Sequence, residues 1–85
     1  MKNEFSNATN EEIEEFYTEI SKKVKLLREN RKLTQLDLAL DIGIKSVAFY
    51  SNCENNRYNK HFNLEHLYKI AKSLEINICE LIKFN

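Results

Sequence analysis

With 85 residues, one glycine, no proline and 13 basic side chains against 13 acidic ones, the chain has room for one domain with a small core and no separate catalytic unit. No run approaches the roughly 18 apolar residues of a membrane span. The start, MKNEFSNATNEE, lacks the basic and apolar regions of a signal peptide, so a soluble, cytoplasmic protein is expected. The zero net charge hides a polarity. Residues 1–19 carry one lysine against six glutamates, a net −5, whereas residues 20–85 carry twelve basic groups against seven acidic ones, a net +5. Residues 1–19 thus read as an acidic extension running into the first helix, and residues 20–85 as the domain proper. Cys53 and Cys79 are too few for a disulfide framework and read as small buried hydrophobes in a reducing compartment.

Thr9 with Glu12 three residues later has the form of a capping box. Ile13, Phe16, Tyr17, Ile20, Val24 and Leu27 then recur at helical spacing, which predicts one amphipathic helix to about Asn30. Its early glutamates and late Lys22, Lys23, Lys25 and Arg28 complement the helix dipole. Asn30, Arg31 and Lys32 make a turn. Thr34 caps a second helix whose apolar residues are Leu36, Leu38, Ala39 and Leu40. That helix ends at Gly43, which tolerates the positive φ of a helix stop. A third helix follows with Val47, Ala48, Phe49, Tyr50 and Cys53, interrupted by Ser46, Ser51 and Asn52. NNRYNKHFN has no apolar period and reads as a loop in which Asn55 or Asn56 takes the left-handed conformation. Asn63 caps a fourth helix with Leu64, Leu67, Ile70, Ala71 and Leu74 on one face, and Asn77 with Glu80 opens a last short one containing Ile78, Leu81, Ile82 and Phe84. The expected architecture is an all-α bundle of five helices.

TQLDLALDIG resembles the Thr-Gln-x-x-Leu-Ala-x-x-x-Gly signature of the phage-repressor-like (XRE-type, lambda repressor-like) helix-turn-helix regulators, and YSNCENNR resembles the stretch that closes their second motif helix. LYKIAKSLEINICEL is similar to their fourth and fifth helices, so the likeness covers roughly residues 20 to 82. The first helix of that family starts nearer Ile20, which makes Thr9 to Glu19 an addition. The resemblance implies sequence-specific binding of double-stranded DNA by a transcriptional regulator, whether repressor, antitoxin or controller, with the helix-turn-helix at 34–54. It also implies a homodimer on a palindromic operator. Gln35 matches the glutamine that meets the DNA backbone. Counted forward from Gly43, the base-facing positions fall on Lys45, Ser46, Val47 and Ser51; counted backward from Glu54, they fall on Val47, Ala48 and Asn52. The backward count is preferred, because it makes Ser46 the N-cap and buries Tyr50 and Cys53. In that register Asn52 can make a bidentate contact to adenine and Val47 can meet a thymine methyl. Lys45, Asn56, Arg57 and Lys60 suit phosphates. A dimer contact would use Ile78, Leu81, Ile82 and Phe84, or alternatively Phe16 and Tyr17. Either set could instead close the monomer.

Catalysis is the class least supported. His61 and His66 are not at metal-ligand spacing with either cysteine, and no glycine-rich phosphate cradle exists, so no metal, cofactor or small-molecule ligand is expected. The competing class is a protein-interaction module on the same fold, suggested by the acidic extension and by Phe49 and Tyr50.

Overall fold

The computed structural model describes residues 6–83. Among them are four α-helices, α1 (Asn10–Asn30), α2 (Gln35–Asp41), α3 (Val47–Asn55) and α4 (Leu64–Ser73), with 3-10 turns at Arg57–Asn59 and Ile78–Leu81 and no β-strand. The expected fifth helix is therefore corrected to a single 3-10 turn. Asn77 opens it by accepting from the Cys79 N–H at 2.9 Å, and four residues are too few to offset the cost of starting an α-helix. Phe84 lies outside the described residues.

Every helix start carries a local side-chain cap. Thr9 and Glu12, Thr34 and Asp37, and Asn63 and His66 form reciprocal capping boxes, and the Ser46 hydroxyl accepts from the Phe49 N–H at 3.1 Å. Three of the helices also stop in one way. Gly43, at φ +82, donates to Leu40 O, while Ile44 N–H reaches back to Ala39 O at 2.8 Å, which is the Schellman pattern. Lys32 and Glu75 hold the same left-handed position after α1 and α4, and Leu33 and Ile76 make the same long return bond. In all three cases the residue that makes it, Leu33, Ile44 or Ile76, packs against the core. Burial of that following residue sets the turn even where no glycine is present to ease it.

The core is built from Ile20 and Val24 of α1, Leu38 and Ala39 of α2, Tyr50 and Cys53 of α3, and Leu67, Ile70 and Ala71 of α4, closed by Ile42, Phe62, Leu74 and Leu81. Several residues placed on apolar faces by periodicity are outside it. Ile13, Phe16, Leu36, Leu40 and Leu64 are all exposed, because each helix meets its neighbours over only part of its apolar arc.

Candidate nucleic-acid interface

One face of α3 is the candidate reading surface. Lys45, Ser46, Val47 and Ala48 are exposed, and Ser51 and Asn52 are half-buried, while Tyr50, Cys53 and Glu54 point inward. The helix begins where the backward count requires, with Ser46 as its N-cap in extended conformation.

What fixes α3 in place is a buried polar junction. Glu54, whose side chain is wholly out of solvent, accepts from Arg28 Nε at 2.9 Å and Nη2 at 3.0 Å, from Gln35 Nε2 at 3.0 Å and from the Tyr50 hydroxyl at 2.8 Å. Arg28 Nη1 donates to Leu33 O at 2.6 Å. One carboxylate thereby ties α1 to the start of α2 and the end of α3, at the end of the motif away from its turn. Burial alone would raise the Glu54 carboxyl, but hydrogen bonds from Arg28, Gln35 and Tyr50 outweigh it and hold the group below its usual range. Tyr50 moves the other way, pushed up by burial and then by the adjacent carboxylate. Among the described residues no buried side-chain nitrogen or oxygen lacks a hydrogen-bond partner.

From sequence, Arg28 reads as a dipole-facing cation and Glu54 as a register mark. The signal that both were buried was available. Arg28 follows Val24 by four on the inward stripe of α1, and Glu54 follows Tyr50 by four on that of α3. Two opposite charges on buried stripes have to meet.

Gln35 is the first residue of α2, and its amide is oriented by Glu54. Asn56 caps α3 in the left-handed conformation, but its side chain turns to α1, where Nδ2 donates to Thr18 Oγ1 at 3.4 Å and Oδ1 lies 3.3 Å from His61 Nδ1. Arg57 and Lys60, just beyond, are exposed. His61 stacks on Tyr17, with ring centroids 3.8 Å apart and planes 6° from parallel. Of the residues considered for a subunit contact, Leu81 is fully buried and closes the core instead, Ile78 packs against that core, and Ile82 and Phe16 are exposed.

Among the described residues no group of three or more His, Cys, Asp or Glu side chains could hold a metal ion, and no helix is long and apolar enough to cross a membrane. No curated protein and no solved structure gives a significant match. A family model described as "Helix-turn-helix domain" matches residues 21–84, most of the chain, beginning within α1 and taking in the whole Arg28–Glu54 junction. The chain therefore belongs to the helix-turn-helix domain family.

Proposed function

We propose that this protein is a transcriptional regulator that reads double-stranded DNA by laying the exposed flank of α3 in the major groove. The observation that supports it most is the division of α3 into two sides. Tyr50, Cys53 and Glu54 anchor the helix, and Ser46, Val47, Ala48, Ser51 and Asn52 are left turned away from the core. A helix fits the major groove, where base edges present distinguishable donors, acceptors and methyl groups. In this reading Asn52 pairs with adenine, and Val47 and Ala48 contact thymine methyls or the groove wall. Gln35 at the start of α2 takes a phosphate, and Lys45, Arg57 and Lys60 add salt-dependent contacts. Asn56 contributes its left-handed backbone, which ends α3 just before the exposed Arg57. Residues 20–85 form the reading unit and residues 1–19 an acidic addition to it. Two copies on a palindromic site would present two α3 helices about 34 Å apart.

Selection of bound duplexes from a random pool tests the reading, with binding measured across salt. Recovery of a palindrome and a steep fall of affinity with salt are expected. Indifference to duplex at low salt would instead favour a protein-binding module. On the selected site, Asn52→Ala should relax discrimination at one base pair by about 1–3 kcal/mol, while Arg57→Ala should weaken all sequences alike. Uniform losses from both would remove Asn52 from the reading role.

A further inference from the structure

The loop after α3 carries Arg57 and Lys60 on a backbone that runs against its own preference. Asn56, Tyr58 and Asn59 stand in the left-handed region, at φ +53, +54 and +58, and none of them is a glycine. Conformations of this kind persist where the surrounding contacts over-determine them. Residues 57–60 are exposed, and the side chains that tie the loop to the rest of the chain stand at its two ends.

Both ends are held by residues 14–21 of α1. At the first end the Asn56 amide donates to Thr18 Oγ1 at 3.4 Å, and its Oδ1 accepts from Ser21 Oγ at 3.2 Å. At the second, His61 lies flat on the Tyr17 ring, with Nε2 3.9 Å from a Glu14 carboxylate oxygen and Nδ1 3.3 Å from that same Asn56 Oδ1. The His61 side chain is only 19 % exposed. Glu14, Tyr17 and Thr18 all precede residue 21, where the family match begins, so these ties belong to the addition and not to the matched domain. Residues 6–21 hold five glutamates and no lysine or arginine, a charge that repels phosphate. Any help this half of α1 gives to DNA binding therefore has to pass through the loop it holds. Arg57 and Lys60 enter none of the ion pairs among the described residues, which leaves both cations available to an outside anion.

We propose that the first half of α1 is a brace for the phosphate-binding loop. Tyr17 and Thr18 act as positioning residues, through His61 and Asn56, and fix the backbone that presents Arg57 and Lys60 to DNA. The purpose of the brace rests on the DNA reading above, so the test has one arm without DNA and one with it. In the free full chain, hydrogen exchange at the Lys60 N–H, which donates to Arg57 O at 3.0 Å, should quicken in Tyr17→Ala, while exchange at the Tyr50 N–H within α3 stays unchanged. With a random-sequence DNA duplex, Tyr17→Ala should weaken binding by about tenfold and flatten the dependence of log affinity on log salt by about 1–2. Arg57→Ala should then cost less than about twofold more in that background, because the contact it removes is already lost. Tyr17→Phe keeps the ring on His61 and should bind like the parent. Thr18→Val removes the acceptor for Asn56 with little change of shape, and keeps the test usable if Tyr17→Ala fails to fold. It should change exchange and affinity in the same directions. Unchanged exchange at Lys60 in both variants, additive losses from Tyr17→Ala and Arg57→Ala, or a Tyr17→Phe chain as weak as Tyr17→Ala would overturn the proposal and leave the DNA reading intact. Faster exchange in the variants of a parent chain that ignores duplex at low salt would instead sink the DNA reading, leaving only the hold on the loop.

Discussion

The two halves of α1 carry the same apolar stripe and meet different fates. From Asn10 to Glu19 no residue is buried, whereas Ile20, Ser21, Val24 and Arg28 in the second half all are. The second half lies against α3, and Ser21 Oγ donates to the Cys53 carbonyl at 3.0 Å. In the first half Tyr17 stacks on His61 and Thr18 accepts from Asn56, while Ile13 and Phe16 stay largely exposed. Periodicity tells which side of a helix would be buried. It does not tell whether anything stands opposite.

The contrast predicts a graded set of outcomes. The largest loss should come from Glu54→Ala, which strands Arg28 in the interior and should lower unfolding stability in urea by about 3–5 kcal/mol. Phe16→Ala, in the exposed half of α1, should shift it by no more than about 0.5 kcal/mol at concentrations where the chain is monomeric. Equal losses from the two would mean that the first half of α1 is as firmly held as the second. The carboxylate also sets a pH limit. Glu54 titrates lower in the folded chain than in the unfolded one, so its stabilisation is complete above about pH 4.5 and is lost as pH falls through the folded value.

Intermediate effects are expected at the helix stops. A Cβ added at Gly43 meets nothing within 4 Å, so Gly43→Ala should cost only the left-handed backbone penalty, about 1 kcal/mol. Glu75→Gly removes that same penalty at the end of α4 and should raise stability by up to about 1 kcal/mol, read as a higher midpoint in urea. A loss at Glu75→Gly would show that its side chain outweighs the strain of its backbone.

The smallest effect should be a pH step at His66. Its Nδ1 accepts from the Asn63 N–H at 3.0 Å and so carries no proton, and burial lowers the group below its ordinary value of 6.5. The unfolded chain therefore takes up a proton first, and stability declines as pH drops below about 6.5. His66→Gln keeps an acceptor for the capping box and should flatten that step in urea titrations at successive pH values. Persistence of the step in the variant would assign it to another group.

Much of the domain was legible because its signals are local. Thr9, Thr34, Ser46 and Asn63 cap the helices they precede within three residues, and Gly43 ends α2 within six, so no distant part of the chain is needed to interpret them. The candidate reading face was legible for the same reason, since the Ser46 cap sets the register of α3. Leu33 and Ile76 also mark turns, but their signal is burial after the stop, which is invisible until the core is assembled.

Sequence alone determined the helical class, the helix starts and which residues of α3 share a side, because these follow from hydrogen bonds and periodicity over a few residues. Only the tertiary structure decided that Arg28, Gln35, Tyr50 and Glu54 meet at one carboxylate, that Leu81 is core while Ile82 is surface, and that Phe16 and Ile82 border the same groove. Each of those facts depends on which helices lie opposite one another, and that arrangement is fixed by contacts between residues far apart in the chain, 19 positions for Gln35 to Glu54 and 26 for Arg28 to Glu54.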